Sequence, residues 1–104
     1  MTEDELLQAV RDLARFRGWY CYHTYRSTKS EPGFPDLVLS HPKTGQLIFA
    51  ELKSDRGLPS KAQLAWLGSL PGPGRQVFLW RPRDLARGDI TRALTPVHPP
   101  AVTR

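Results

Sequence analysis

Two short apolar segments, Gly33 to Leu39 and Ile48 to Lys53, carry charge inside what otherwise reads as buried β-strand. Asp36 lies in the first, and Glu51 and Lys53 lie in the second. Charged groups in a core oppose folding unless they pair or bind an ion. Side chains alternate along a strand, which puts Glu51 and Lys53 on one face and Ala50 and Leu52 on the other. The link His41-Pro42-Lys43-Thr44-Gly45 is turn-rich and suits a hairpin, which sets Asp36 beside Glu51. Two carboxylates and one ammonium on a shared sheet face suit a hard divalent cation and a phosphate. The bland alternative is a structural ion-pair cluster, a poor stabiliser because desolvation offsets the Coulombic gain.

The rest of the chain supplies elements to hold that face. Thr2 followed by Glu5 fits a capping box, and Leu6, Leu7, Val10, Leu13, Ala14 and Phe16 follow helical spacing up to Gly18. Trp19 to Tyr25 is aromatic and suits a strand, and the polar stretch from Arg26 to Gly33 reads as a loop. Pro35 keeps Phe34 extended, leading into a strand from Asp36 to Ser40, with another from Gln46 to Lys53. After a loop over Ser54 to Pro59, Ser60 caps a helix carrying Ala62, Leu64, Ala65, Leu67 and Leu70, which Pro71-Gly72-Pro73-Gly74 ends. A strand over Gln76 to Trp80 and a short helix or turn within Asp84 to Leu94 complete the pattern. That order predicts one α/β domain over 1–94, a mixed sheet flanked by helices, and an irregular tail over 95–104.

With 104 residues there is room for one domain. The formal charge of +5 suits a polyanionic partner without identifying one. A single cysteine, Cys21, excludes an intramolecular disulfide and a cysteine-rich zinc site. It alternates with aromatics and reads as a small buried hydrophobe. His23, His41 and His98 show no metal-ligand spacing. Trp19, Trp66 and Trp80 read as core or interface residues. No apolar run approaches a membrane span, and the acidic start Met1-Thr2-Glu3-Asp4 is unlike a targeting peptide. The expected location is the cytoplasm.

Pro35-Asp36 followed by Glu51-Leu52-Lys53 resembles the PD-(D/E)XK nuclease signature. Its surroundings, Gly33-Phe34-Pro35-Asp36-Leu37, Phe49-Ala50-Glu51-Leu52-Lys53-Ser54 and Leu58-Pro59-Ser60-Lys61-Ala62-Gln63, resemble the VRR-NUC branch, the virus-type replication-repair nucleases. The likeness runs from about Glu5 to Val77. It implies a restriction-endonuclease-like α/β core, a Mg²⁺ or Mn²⁺ cofactor, a DNA substrate, and an assembly like that of Holliday-junction resolvases. If the protein is viral, the location is the host cytosol.

Asp36 and Glu51 supply the oxygen ligands such ions prefer, and the Leu52 backbone carbonyl adds a third where the strand edge is open. Without a cation the carboxylates repel and one favours protonation. The family's matching Lys orients the attacking water or stabilises phosphate charge. For Lys53, beside two acids, charge stabilisation fits better than proton abstraction. Related nucleases bring a Glu from the first helix to the metal, which makes Glu5 the candidate, with Glu3 and Asp4 as neighbours. The opposing reading is that Glu5 only closes the capping box. Gln63 matches the family's helix glutamine, for a contact to substrate or Lys53, against a plain exposed glutamine. Tyr25, Arg26, Ser27, Thr28 and Lys29 are candidate nucleic-acid contacts, with Tyr25 stacking on a base. Lys43, Arg56 and Lys61 are candidate phosphate contacts flanking the site.

The function expected is a metal-dependent DNA endonuclease that recognises branched DNA or a Holliday junction, working as a homodimer without a small-molecule cofactor. The rival expectations are a non-catalytic DNA-binding module of the same fold and an RNA-directed nuclease.

Overall fold

A computed structural model of the chain describes residues 1–25 and 31–97. Helix α1, Glu3–Phe16, begins at the capping box expected from Thr2 and Glu5. The Thr2 Oγ1 accepts from the Glu5 N–H at 3.1 Å, and the Thr2 N–H donates to Glu5 Oε1 at 2.9 Å. Leu6, Val10 and Ala14 form its buried stripe.

Four strands, β1 (Tyr20–His23), β2 (Leu37–Ser40), β3 (Leu47–Leu52) and β4 (Arg75–Trp80), pair in chain order into one mixed sheet. β1 and β2 run antiparallel with His23 opposite Leu37, β2 and β3 antiparallel with Leu37 opposite Ala50, and β3 and β4 parallel with Glu51 opposite Leu79. The parallel step needs a crossover, and helix α2, Lys61–Ser69, provides it. The expected β2–β3 hairpin closes through the His41 N–H to Gln46 O bond and the Gly45 N–H to His41 O bond, both 2.9 Å.

Alternation sorts the sheet into two faces. Leu37, Leu39, Ile48, Ala50, Leu52 and Trp80 point to one side and bury against Leu6, Val10 and Ala14. Ile90 and Leu94 join the same core. The opposite face carries Tyr20, Tyr22, Asp36, Val38, Phe49, Glu51 and Lys53.

A single short helix or turn was the expectation over Asp84 to Leu94. The structure has two helices, α3 (Pro82–Ala86) and α4 (Asp89–Ala93). Proline is suited to a first helical position, and Gly88, at φ +82°, turns the chain between them. Beyond Leu94, the Trp19 Nε1–H donates to Leu94 O (2.8 Å), Arg17 donates to Thr95 Oγ1 (2.9 Å) and the Val97 N–H donates to Gln46 Oε1 (2.8 Å). His98 and the rest of the tail lie outside the described residues. No helix among the described residues is long and apolar enough to cross a membrane.

Candidate active site

The ends of β2 and β3 beside the start of α1 bring Asp36, Glu51 and Lys53 to one cleft of ≈ 230 Å³, also lined by Glu3, Thr24, Tyr25, Glu31, Gly33, Phe34 and Gln63. Asp36 stands just before β2. Its Oδ2 accepts from the Leu52 N–H at 2.8 Å, beyond the last β2–β3 pair, Leu37 with Ala50. The Thr24 N–H donates to Asp36 O at 2.8 Å, so the residue is pinned from both neighbouring strands.

The segment before Asp36 is anchored to α2. Trp66 Nε1–H donates to Pro32 O at 3.1 Å, and the Phe34 ring meets the Trp66 and Phe49 rings edge-on at 5.1 and 6.1 Å. Gly33 makes that approach possible. At φ +92° a Cβ would fall 2.5 Å from the Ala62 carbonyl carbon, so no larger residue fits without displacing backbone.

Glu51 is 1% exposed. Burial first, then a hydrogen bond to Asp36 and the Asp36 charge, push its carboxyl up to about 9, while Lys53 pulls the other way and Glu3 adds to the rise. At neutral pH and without a cation Glu51 therefore holds a proton, as two adjacent carboxyl groups require. Its Oε2 is buried and has no hydrogen-bond partner, a deficit that a cation would satisfy. The Leu52 carbonyl points to the same sheet edge as its N–H, toward Asp36, and can add an oxygen. No cluster of three or more His, Cys, Asp and Glu poised to hold a metal occurs among the described residues. The donor set is thus two carboxylates and a carbonyl, which fits an ion that keeps several waters, as Mg²⁺ does.

Lys53 continues the Glu51 face, its N–H donating to Trp80 O at 3.0 Å. The loop that follows is clamped by Arg81, whose Nη1 donates to Ser54 O (2.7 Å) and Gly57 O (2.6 Å). Arg83 Nη2 donates to Asp55 O at 2.7 Å. Lys53 is therefore set by both strand and loop.

Other expected site residues are placed differently. Glu5 is exposed and spends its carboxylate on the Thr2 cap, which holds its carboxyl below the ordinary range. Glu3 is the first-helix acid that lines the cleft, and both Glu3 and Asp4 line the adjoining hollow beside Asp36 and Leu52. Two helical positions turn the chain about 200°, so Glu3 and Glu5 face nearly opposite ways. The signal was in the sequence, since Glu3, Leu6 and Val10 share the stripe that faces the sheet.

Gln63 lines the cleft but also closes a second capping box, its Oε1 accepting from the Ser60 N–H at 2.8 Å, which leaves its amide NH₂ as the group able to donate. Tyr25 lines the cleft and is 74% exposed. Arg26, Ser27, Thr28 and Lys29 lie outside the described residues. Arg56 and Lys61 sit at the site end of the sheet without lining the cleft. Lys43 corrects an expectation: it belongs to the hairpin turn, and a hairpin whose open end holds Asp36 and Glu51 puts its turn at the far end of both strands.

Thr24 was not anticipated. It lines the cleft, and its Oγ1 is buried without a partner. His41, the histidine nearest the site in sequence, is also at the far end. It is buried, with Nε2 3.0 Å from Arg17 O and Nδ1 accepting from the Lys43 N–H at 3.3 Å. Trp19 and Trp80 are in the core, and Trp66 is half-buried.

No protein-family model matches the chain. No curated protein matches it either. Solved structures do. One VRR-NUC domain protein superposes with TM-score 0.68 at 18% identity, covering 94% of this chain and 92% of that one. A second VRR-NUC domain superposes with TM-score 0.64 at 21% identity, covering 86% of this chain and 96% of its own. A looser likeness, TM-score 0.48 at 24% identity over 73% of this chain and 68% of the other, is to Hjc, a Holliday junction resolvase of Archaeoglobus fulgidus. The helix, the mixed sheet and the crossover helix of this chain are together the fold of a VRR-NUC domain.

Proposed function

We propose that the protein is a metal-dependent nuclease that hydrolyses phosphodiester bonds in DNA. The observation that carries this reading is the buried Glu51 carboxyl, with an orphaned Oε2, held against Asp36 and beside Lys53 in an open cleft. A structural role explains it poorly, because burying two carboxyl groups together costs stability. A DNA-binding module gains nothing from them either, since acids repel phosphate.

Asp36 and Glu51, with the Leu52 carbonyl, would hold Mg²⁺ or Mn²⁺. When bound, the ion polarises the phosphoryl oxygen and lowers the pKa of a coordinated water. Glu51 would release its proton to solvent on holding the ion, and Asp36 keeps its position through the Leu52 N–H. Lys53 places a compact positive charge at the phosphate. The Gln63 amide and the Thr24 hydroxyl are donors that can orient it. Glu3 adds negative field from the start of α1 and is the first-helix acid of the site. Water attacks directly, with no covalent enzyme intermediate.

Substrate choice follows from size. Among the described residues α1 packs against the sheet and α2 is tied by Trp66 to the loop before β2, so neither stands free as a reading head for a major groove. Recognition of DNA shape, a branch or junction, therefore belongs to the proposal, together with a homodimer that sets one site on each of two strands. The test is cleavage of labelled single-stranded, duplex, flap and four-way-junction DNA with Mg²⁺, Mn²⁺ or EDTA, beside Asp36→Ala. Metal-dependent cutting that is lost in the variant is expected. Undiminished binding without cutting, in wild type and variant alike, would favour the binding module. Preferential cutting of RNA at equal salt would move the substrate class. Sedimentation as a monomer at concentrations giving full junction cleavage would remove the dimer.

A further inference from the structure

Two tyrosines on β1, with Tyr25 just past it against the His23 ring at 4.8 Å, lie outside the catalytic groups. Tyr20, Tyr22 and Tyr25 are 70%, 64% and 74% exposed. A tyrosine ring buries a large apolar area when it can, so three left open in six residues is unusual. Tyr20 and Tyr22 alternate with Cys21, which packs against the core. They therefore point to the opposite sheet face, the one bearing Asp36, Glu51 and Lys53. On that face the row Tyr20, Tyr22, Thr24 runs along the edge strand toward the cleft, which Thr24 and Tyr25 line.

Resting on the nuclease reading, we propose that this face of β1 is a stacking platform for a single-stranded segment of the substrate, leading it into the cleft. Alternate strand residues are about 6.8 Å apart, a spacing suited to successive bases of an extended, unstacked strand rather than to a base-paired stack. Aromatic rings bind such bases with little sequence preference. The chain carries a formal charge of +5, which suits a polyanionic strand, while Arg11 and Arg15 lie beside Cys21 on the other face of β1.

A second copy of this chain is the competing occupant. It is disfavoured because β1 is only four residues long, a short edge for pairing, and because pairing would bring the two arginine sets together. The single-strand reading also narrows the branched substrate to one with an unpaired arm.

The experiment separates this inference from catalysis by measuring binding alone. Fluorescence anisotropy of a labelled oligo-dT of about 12 nucleotides and of a duplex of equal length is recorded in EDTA. The proteins are wild type, Tyr20→Phe/Tyr22→Phe, Tyr20→Ala/Tyr22→Ala and Tyr20→Leu/Tyr22→Leu. The leucine pair keeps an apolar strand surface without a ring, in case the alanine pair does not fold. Expected is a loss of single-strand affinity of roughly tenfold per tyrosine in the leucine or alanine pair, full retention in the phenylalanine pair, and duplex affinity unmoved. Unchanged single-strand binding, or an equal loss on duplex, overturns the platform. So does a shift from dimer to monomer in the leucine pair without a change in binding, which would assign the face to a second copy. Tyrosine-dependent binding without metal-dependent cleavage would sink the nuclease reading while leaving the platform. Cleavage with tyrosine-independent binding would do the reverse.

Discussion

Lys53 and Glu51 share a face but differ in what their loss removes. Lys53 stands at the cleft as a point charge, so Lys53→Ala should lower cleavage by about 10²- to 10³-fold, the usual cost of deleting one charge stabiliser. It should leave metal affinity unchanged or slightly raised, because a positive neighbour has gone. Lys53→Arg is not expected to restore the rate, since a planar fork does not replace a compact ammonium. Glu51→Gln should instead abolish cleavage by weakening metal binding at least about tenfold, as it converts a carboxylate ligand to an amide. Single-turnover cleavage with isothermal titration of Mn²⁺ checks both. Wild-type cleavage in Lys53→Ala, or equal metal loss in the two variants, would contradict the division of roles.

At the scale of elements, the first helix and the loop before β2 carry the tests. Glu3→Gln and Glu5→Gln should part company. The Glu5 variant loses its half of the capping box and should melt lower with cleavage little changed. The Glu3 variant removes a charge that raises the Glu51 carboxyl and should keep its melting point while changing the metal dependence of cleavage. Thermal melts beside Mn²⁺ titrations of activity would show it, and the reverse assignment would restore Glu5 to the site. Gly33→Ala should cost about 1–3 kcal/mol in urea unfolding, because it combines a left-handed backbone with a clash against α2. Cleavage should fall too, as Asp36 hangs from that loop.

Much of this was legible because local rules act on neighbouring residues. Thr2 with Glu5 wrote the first cap, and the alternation around Ala50 and Leu52 separated the charged face from the core. The expected residues that the structure sets away from the cleft differ in direction and distance. Glu5 was chosen by position in the chain rather than by helical phase, and Lys43 by adjacency rather than by which end of a hairpin it closes. The two helices after β4 were read as a single element because the chain around Gly88 has no apolar rhythm to mark the break. Thr24 is a threonine like any other until β1 pairs with β2 and sets it opposite Asp36.

For the whole molecule, the buried acid pair is a destabilising feature that the proposed cation would relieve, and this predicts how stability depends on pH. The ordinary value for a glutamate carboxyl is 4.5, and in the fold Glu51 is raised to about 9, first by burial and then by Asp36. Between those values the folded protein binds more protons than the unfolded chain, so stability falls as pH rises. The contribution is fully present below 4.5 and fully lost above about 9. In EDTA the melting temperature should therefore drop between pH 5 and pH 8.5, by about 5 °C or more for a domain of this size. Divalent cations bind the ionised pair and should raise it again, more strongly at the higher pH, since a ligand that binds only the folded state stabilises it by mass action. Glu51→Gln cannot ionise. It should melt above the wild type at pH 8.5 in EDTA, show a flatter profile, and gain little from Mn²⁺. Scanning calorimetry of both proteins across that range, with and without Mn²⁺, decides the matter. A wild-type profile as flat as that of the glutamine variant would mean that Glu51 is no more burdened than a surface acid, and the cation site would lose its physical basis.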